Sequence, residues 1–444
     1  MIQQSKLCLV SFKQKFENEG GIIMNDNKRK TVGRSAFGIV TGYIRTGDNL
    51  IERVISSLKN AEADPESGFK LKNGDVVCTT EAVVAMAQTN YATFDDIATD
   101  VGNKFAGAKS LVIVNPIQSR NRFLKLLKAF STVPTLEKIY VVLTYPSDEV
   151  GNELVSRLKL IEAGVNENSD VFTAKEFTEC FGKPCHPFTG VDYTELYTNA
   201  CNGKGEVILC NDFAKLYEYF DCTDYLICSI HSRKETEAII RRGEKKCGKP
   251  FRILSMADIL NEPVNGSGYN PEFGLLGTNS MSGDVVKLMP RDCQKYVDEL
   301  KARILEEFGV HVECMVYGDG AFKDPAGKIW ELADPVTTLS KTEGIYGKPN
   351  ELKLKLSLSD PECENMNEEQ LEAFVAAKKK ELLATDGKKN ELSAGTTPRN
   401  LHDILASVAD LTSGSGDEGT PVVVLSGYLR NYDEQNNIPK RTDS

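Results

Sequence analysis

The arrangement in this sequence that is best suited to chemistry is an aspartate between two glycines, Gly318-Asp319-Gly320, directly after the apolar run 312–316. Glycines tolerate positive φ angles and let a ligand approach the backbone closely. A carboxylate at the end of a buried strand can also serve as an oxygen ligand for a divalent cation. The sequence therefore predicts a metal-binding role for Asp319. The alternative is an ordinary surface turn, because a glycine-aspartate-glycine triplet is a common turn signal.

A second acidic, glycine-rich loop lies near the carboxyl end of the sequence. Residues 413–419 read Ser-Gly-Ser-Gly-Asp-Glu-Gly and precede the apolar run 422–425, which has the pattern of a buried strand. The loop presents Asp417 and Glu418 on a flexible glycine frame. If the fold brings this loop against Asp319, the carboxylates can share one cation. A surface hairpin is the alternative interpretation.

A long stretch before these loops has the pattern of an α/β domain. Between residues 106 and 262, short apolar runs alternate with helical patterns, as in 111–114 followed by 122–130. Strands separated by helices are typical of a parallel sheet with helices on its faces. None of these runs is followed by Gly-x-Gly-x-x-Gly or by a Walker phosphate loop, which argues against a standard dinucleotide or P-loop site.

We therefore predict an α/β protein, with a mixed α+β core that is interrupted by an inserted parallel α/β domain. The first predicted segment is an N-terminal extension at 1–34, with Met24 as an alternative start. The core follows in two parts, at 35–105 and 263–444, and the inserted domain lies between them at 106–262. The second part of the core includes a charged helix and linker at 360–399. The inserted domain either holds a ligand at its strand ends or only shapes a cleft.

The composition limits which cellular compartment and which classes of partner we expect. The 444 residues carry 53 Lys and Arg against 64 Asp and Glu, a net charge of -11. This acidic balance argues against nucleic acid as the main partner. The 12 cysteines are scattered and form no Cys-x-x-Cys pair of the kind that structural zinc requires, so we expect a reducing cytoplasm. No run is apolar and long enough for a secretory signal or a membrane span, and we expect no membrane partner.

Several separated segments carry the motifs of one enzyme family. Residues 42–50, Gly-Tyr-Ile-Arg-Thr-Gly-Asp-Asn-Leu, are similar to Pro-Leu-Ile-Lys-x-Gly-Asp-Asp-Leu, and residues 74–88 are similar to a Gly-Asp-Val strand with its Ser-Lys-Ala-Glu-Gly turn. Residues 277–292 resemble a Gly-Ile-Asp-x-Ser-Asn loop followed by Leu-Pro-x-Asp. Asp319 falls on a Thr-Asp-Thr metal motif, and 416–424 resemble Gly-Asp-Gly-Ile-Pro-Val-Val. These are motifs of the coenzyme F(420):L-glutamate ligase family, also called F(420) gamma-glutamyl ligases, which the chain resembles.

The resemblance implies an enzyme that uses GTP and divalent metal ions, Mg²⁺ or Mn²⁺, to join glutamate to the carboxyl group of a deazaflavin coenzyme precursor. It also implies a small-molecule acceptor and an amino acid as partners, and a homodimer. The implied nucleotide contacts are Gly42, Tyr43, Ile44, Arg45, Glu81 and Ser282, and the implied metal ligands are Asn279, Asp319, Asp417 and Glu418.

The chain departs from the family's motifs at positions that carry the chemistry. Asn279 or, in a shifted alignment, Gly277 stands where the family has a metal-binding aspartate, and Met86 stands where it has a nucleotide-contacting lysine. Ser415 stands where the last loop of the family has a metal-bound glutamate. The first change removes a negative charge from the metal site, and the second removes a positive charge beside the phosphates. Two alternatives therefore stand beside this ligase: a non-catalytic nucleotide- or ligand-binding regulatory protein that kept the fold, and a ligase that acts on a folate-type acceptor.

Overall fold

The computed structural model describes residues 33–318, 321–324, 329–332, 336–345, 355, 358–384, 399–413 and 419–429. The chain divides into a unit of Met1–Ser35 and a unit of Ala36–Ser444, and the architecture below is that of the second unit. Its sheets contain both parallel and antiparallel strands and are covered by helices. The predicted α/β class is confirmed. The predicted extension at 1–34 lies almost entirely outside the described residues.

In chain order the strands are β1 (Ser35–Ile39), β2 (Val76–Thr80), β3 (Tyr91–Thr93), β4 (Ser110–Val114), β5 (Lys138–Leu143), β6 (Val171–Thr173), β7 (Gly205–Cys210), β8 (Asp224–Ile227), β9 (Arg252–Ser255), β10 (Asn279–Ser280), β11 (Val285–Lys287), β12 (Glu313–Gly318), β13 (Ala321–Asp324), β14 (Ile329–Leu332), β15 (Thr337–Lys341) and β16 (Val422–Ser426). The α-helices are α1 (Leu50–Ala63), α2 (Glu81–Ala87), α3 (Phe94–Lys104), α4 (Phe123–Ser131), α5 (Arg157–Glu162), α6 (Ala174–Phe181), α7 (Tyr193–Ala200), α8 (Leu216–Tyr219), α9 (Arg233–Cys247), α10 (Cys293–Phe308), α11 (Glu368–Ala384) and α12 (Leu401–Ser413). Within the described ranges, none of the helices combines the length and the apolar composition that a membrane crossing requires.

A five-stranded sheet in the order β1-β16-β2-β12-β15 lies at the centre of the predicted core. Strand β12 runs parallel to β2, whereas β16 and β15 run antiparallel to their neighbours β2 and β12. The central strands are apolar on both faces because α1 and α10 pack on one face and α12 packs on the other. On α1, Leu50, Val54 and Leu58 recur every four residues and are buried, which is the spacing of a single helix face.

A six-stranded sheet in the order β6-β7-β5-β4-β8-β9 forms within the stretch predicted as an inserted domain. Its strands are parallel except for β6, which pairs antiparallel with β7 at one edge. The apolar runs of β4, β5, β7 and β8 are buried on both faces, since one hydrophobic cluster covers each side of the sheet. This burial explains why these strands show continuous apolar runs and not an alternating pattern.

Contacts tie the six-stranded sheet to the chain on both sides of it. Ile97 of α3 and Leu288 lie outside the predicted insertion, yet they pack in the same buried cluster as Ile113 of β4. The carboxylate of Asp100 on α3 also accepts a hydrogen bond from the backbone N–H of Leu260 at 2.7 Å. The domain boundaries at 106 and 262 stay a prediction.

A small three-stranded antiparallel sheet, in the order β10-β11-β3, connects distant parts of the chain. Strands β10 and β11 form a hairpin, and β11 pairs with β3, which follows α2. The buried side chain of Asn90 fixes the approach to β3, because its amide donates to the backbone oxygens of Tyr269 at 3.1 Å and Met289 at 2.7 Å. Strands β13 and β14 pair separately as a two-stranded ribbon.

Gly243 on α9 is a position where the fold leaves no room for a side chain. A Cβ atom there would lie 2.7 Å from the carbonyl oxygen of Ala214 and 3.1 Å from its carbonyl carbon, and these backbone atoms cannot rotate away. We predict that Gly243→Ala lowers the free energy of unfolding by about 1–3 kcal/mol through overpacking. Urea unfolding followed by circular dichroism measures the change.

Gly102 on α3 is the matched control, because the nearest atom to a Cβ there is Cγ1 of Val133 at 3.7 Å, an ordinary contact. Gly102→Ala is expected to leave the free energy of unfolding unchanged or to raise it by up to about 1 kcal/mol, since alanine has the higher helix propensity. Equal unfolding midpoints for the two variants would contradict the close packing of α9 against Ala214.

Candidate functional site

The three-stranded sheet aligns three polar side chains across its strands. Asn279 on β10 lies directly opposite Lys287 on β11, and Lys287 lies directly opposite Tyr91 on β3. Directly paired residues of antiparallel strands project from the same face of a sheet. One face of this small sheet therefore carries an amide, an ammonium group and a phenol in a row, which we call the polar row.

Lys287, at the centre of the polar row, forms a buried ion pair with Glu81. Its ammonium group donates to Oε2 of the Glu81 carboxylate, and the two side chains are each only 3% exposed. Glu81 is the first residue of α2, where the helix dipole favours a negative charge. Each of these charges is costly to remove from water, so each requires the other as a partner.

The end of β12 lies against the same glutamate. A Cβ atom at Gly318 would lie only 2.6 Å from Cγ of Glu81, so a larger residue does not fit here unless one of them shifts. Gly318 is therefore needed for a close approach of backbone and side chain. This contact brings the strand that precedes Asp319 to the Glu81–Lys287 pair, whereas Asp319 itself lies outside the described residues.

The segment 42–50 reaches the polar row through Tyr91. The hydroxyl group of Tyr91 lies 3.2 Å from that of Thr46, within hydrogen-bonding distance. Arg45 precedes Thr46 and has an exposed side chain, and its backbone N–H donates to Oδ2 of Asp48 at 2.9 Å. This hydrogen bond is the main reason why the pKa of Asp48 is below its ordinary value. Asp48 therefore stays ionised at neutral pH and shapes the turn that presents Arg45.

The sequence model of one protein family, described as F420-0:Gamma-glutamyl ligase, matches residues 38–427. The matched span includes the six-stranded sheet, the polar row and all of the five-stranded sheet except the first three residues of β1. The chain belongs to this ligase family. The resemblance that was based on separate motifs is thereby confirmed at the level of the family. A search of curated proteins found no match to the chain.

Only part of the predicted ligase site can be followed in the structure. Glu81 contacts Lys287, and Asn279 lies on the neighbouring strand directly opposite Lys287. The predicted metal ligands Asp319, Asp417 and Glu418 lie outside the described residues.

The predicted nucleotide contacts lie in two places. The first group is Gly42, with φ of +67°, Tyr43, which is 91% exposed, and Ile44, which packs on the core. These residues lead into Arg45, the neighbour of the residue that contacts Tyr91. Ser282 lies in the exposed turn of the β10–β11 hairpin, at the opposite end from the Asn279 and Lys287 pair. The structure therefore does not bring Ser282 to the polar row.

The described residues do not by themselves complete the metal site that is typical of this ligase family. In the described parts of the chain, no three His, Cys, Asp or Glu side chains are grouped closely enough to hold an ion. Asn279 offers a neutral amide oxygen, and the Glu81 carboxylate is engaged by Lys287. Hard divalent cations need several oxygen ligands, with carboxylates among them. A metal ion at the polar row would therefore have to draw on the predicted carboxylates outside the described residues.

Lys287 is the residue of this site that sequence reasoning missed. It interrupts the apolar run Val285, Val286, Leu288 and Met289. A single lysine within a buried strand is a signal in itself, because a buried charge requires a partner. The partner could not be found in the same way, since Glu81 is 206 residues away along the chain.

Cys293, at the start of α10, is not a second reactive group at this site. Burial raises the pKa of its thiol to about 12, and the nearby negative charge of Glu81 acts in the same direction. The thiol therefore stays protonated at neutral pH. Because the thiolate is the form that attacks electrophiles and binds metals, Cys293 serves packing and not chemistry.

We predict that Lys287→Met lowers the free energy of unfolding by about 3–5 kcal/mol, because it leaves the Glu81 carboxylate buried without its cation. The double variant Glu81→Gln with Lys287→Met should recover much of this loss, since it removes both charges. Urea unfolding monitored by circular dichroism measures the free energy of unfolding of the unmodified protein, the single variant and the double variant.

Lys109→Met is the matched control, since Lys109 pairs with Glu137 at 2.7 Å but the side chains are 71% and 69% exposed. Solvent screens such a pair, and little change in stability is expected. If Lys287→Met were as stable as Lys109→Met, the pair would not be the buried interaction described above.

Proposed function

We propose that this protein is a ligase that depends on GTP and a divalent metal ion, Mg²⁺ or Mn²⁺, and joins the amine of glutamate to a carboxylate on a small-molecule acceptor such as a deazaflavin coenzyme precursor. The observation that carries the proposal is the convergence of motif segments around the polar row and the ion pair of Lys287 with Glu81. The segments 42–50, 74–88 and 277–292 and the end of β12 all reach the polar row or its ion pair. Membership in the ligase family supports the reaction class.

The reaction requires activation of a carboxylate. An oxygen of the acceptor carboxylate attacks the γ-phosphorus of GTP, the bond from that phosphorus to the bridging oxygen breaks, and GDP leaves an acyl phosphate behind. The amine of glutamate then attacks the acyl carbon. The bond between that carbon and the phosphate oxygen breaks, which releases inorganic phosphate and one proton. Positioning and charge neutralisation provide most of the catalysis in such phosphoryl transfers.

The chain's own residues suit positioning and phosphate binding. Arg45 is exposed and carries a planar guanidinium group that can form paired hydrogen bonds to a phosphate. Gly42 and Gly47, with φ of +67° and +79°, leave the backbone beside Arg45 open to a close approach. Lys287 is too deeply buried to meet solvent, so its role is to hold Glu81 in place beneath the polar row.

A metal ion would be held by Asn279, Asp319, Asp417 and Glu418, and it would neutralise phosphate charge. Of these residues the structure describes Asn279, which lies on the polar row. A homodimer in the cytoplasm is the expected form of the protein, where GTP and glutamate are available.

A second candidate function is a nucleotide- or ligand-binding regulatory protein that does not catalyse. Two observations favour it: an amide stands at position 279, and the Glu81 carboxylate beside the polar row is paired with Lys287. Both lower the negative charge that is available to a metal ion. GTP binding in the presence of metal, followed by turnover, separates this candidate from the ligase.

We predict that the protein binds GTP in the presence of Mn²⁺ and that Arg45→Ala weakens this binding by about 10- to 100-fold, as expected for the loss of a hydrogen bond to a charged group. Isothermal titration calorimetry measures the affinity. Asp319→Ala should abolish the difference between titrations with Mn²⁺ and with a chelator. Arg157→Ala on α5 is the control, since Arg157 is 68% exposed and pairs with Glu167. Absence of GTP binding with metal present would rule out the ligase.

The acceptor can be identified by its effect on GTP turnover. We expect phosphate release from GTP to require glutamate together with a carboxylate acceptor, because attack on the γ-phosphorus needs the acceptor oxygen. Phosphate release is measured with a deazaflavin precursor, with a folate and without acceptor. If the folate stimulates phosphate release and the deazaflavin precursor does not, the acceptor is of the folate type. GTP binding without turnover under all three conditions would favour the regulatory protein.

A further inference from the structure

We propose that Thr420 is a positioning residue for residues 42–45, the predicted nucleotide contacts, which we call the nucleotide segment. The inference rests on the proposed ligase function and adds to it a residue outside the predicted site. Thr420 does not itself contact the nucleotide. It acts through the backbone of Thr41, which directly precedes the nucleotide segment.

Residues 419–421, which we call the junction, directly precede β16 and form hydrogen bonds to separate parts of the chain. The carbonyl oxygen of Gly419 accepts a hydrogen bond from the backbone N–H of Thr41 at 3.1 Å. The carbonyl oxygen of Pro421 accepts one from the backbone N–H of Thr80 at 2.9 Å. The side chain between these two carbonyl groups is that of Thr420, so its conformation affects both contacts.

The hydroxyl group of Thr420 binds the junction to the end of α12. It donates to the carbonyl oxygen of Ser413 at 2.8 Å. Ser413 is the last residue of α12, and the last carbonyl groups of a helix have no partner within the helix. Thr420 therefore supplies a hydrogen bond that the helix cannot form by itself. Ser413 and Thr420 also stand on either side of the stretch that contains the predicted metal ligands Asp417 and Glu418.

The other elements that the junction joins belong to the candidate site. Thr80 is the N-cap residue of α2 and directly precedes Glu81, the buried partner of Lys287. Thr41 leads directly into Gly42, the first residue of the nucleotide segment. The junction therefore links the nucleotide segment to the start of the helix that carries the buried carboxylate.

The nucleotide segment is held at both of its ends. Thr41, which precedes it, is only 5% exposed and is bonded to the junction. Thr46, which follows it, lies within hydrogen-bonding distance of Tyr91. Arg45 and the backbone beside it lie between these two contacts. Because several hydrogen bonds to one phosphate must form together, a small displacement of either end weakens all of them.

The two branches of the Thr420 side chain have different partners. A Cβ atom at Gly38 of β1 would lie 3.2 Å from both Cβ and Cγ2 of Thr420, so the methyl group packs closely against that strand. The hydroxyl group serves Ser413 instead. Each branch can therefore be removed by itself, since valine keeps the methyl group without the hydroxyl and serine keeps the hydroxyl without the methyl group.

Isothermal titration calorimetry with GTP and Mn²⁺ tests the assignment. We expect Thr420→Val to bind GTP about three- to tenfold more weakly than the unmodified protein, as expected for the loss of one hydrogen bond that holds the nucleotide segment. Thr420→Ser should bind GTP within about twofold of the unmodified protein, because it keeps that hydrogen bond. Urea unfolding of each variant measures its stability separately.

Thr412→Val is the matched control. The hydroxyl group of Thr412 donates to the carbonyl oxygen of Val408 at 2.6 Å, so the same substitution removes a hydrogen bond that is internal to the same helix. We expect the urea midpoints of the two valine variants to be similar, and the GTP affinity of Thr412→Val to stay within about twofold of that of the unmodified protein. An equal loss of GTP affinity in both valine variants would show a general effect of stability and overturn the proposal.

The remaining outcomes separate this inference from the ligase itself. If Thr420→Val binds GTP as the unmodified protein does, the positioning role is overturned and the ligase stands. Weak binding by Thr420→Ser with normal binding by Thr420→Val would assign the effect to the methyl group and overturn the role as well. A protein that binds no GTP with metal present would remove both.

A second pair of variants keeps the test decisive if Thr420→Val unfolds at the temperature of the titration. Thr420→Ser and Thr420→Ala differ from each other only in the hydroxyl group, and neither adds volume. We expect the alanine variant to bind GTP about three- to tenfold more weakly than the serine variant, for the same lost hydrogen bond. Equal affinities in this pair would overturn the proposal.

Discussion

The arrangement of the site depends on one buried ion pair, between Lys287 and Glu81. Both charges are removed from water, and neither is tolerated there without the other. The pair joins the start of α2 to the central strand of the three-stranded sheet, and the end of β12 fits against it only because residue 318 is glycine. A hydrophobic contact would permit these elements to slide. A charge pair with directed hydrogen bonds holds them in one arrangement.

This constraint explains the importance of strand register in such a short sheet. Strand β10 contains only Asn279 and Ser280, and β11 contains only three residues. A shift of one residue between β11 and β3 would turn Lys287 away from Glu81 and place Val286 against the buried carboxylate in its stead. The burial of Val286 in the large hydrophobic cluster and the pairing of Lys287 therefore favour the same register. The hydrogen bonds of Asn90 to Tyr269 and Met289 fix the ends of the paired segments.

The sequence was sufficient for the fold class and the family because both are encoded locally. Continuous apolar runs such as 111–114 and 139–143 predict buried parallel strands, and the motif segments occur in the family's order. The site was predicted less completely. Glu81 and Asn279 were identified as site residues by resemblance, but Lys287 was not, since its role depends on a partner 206 residues away. No local pattern specifies such a pairing. Ser282 shows the converse limit of a local pattern: it is close to Asn279 in sequence, yet it lies in the turn at the far end of the hairpin, and its contact with a nucleotide stays a prediction.

The ion pair also gives a physical reason for the amide at position 279. Lys287 faces residue 279 directly across the strands, and its ammonium group already serves Glu81. An aspartate at 279 would place a second carboxylate beside a single buried ammonium group, and the surplus negative charge would have to be met by a metal ion or by solvent. Asparagine keeps the oxygen and removes the charge, so it adds no second negative charge beside the Lys287–Glu81 pair. The amide at position 279 therefore fits the buried ion pair beside it, because the single ammonium group of Lys287 is already committed to the Glu81 carboxylate.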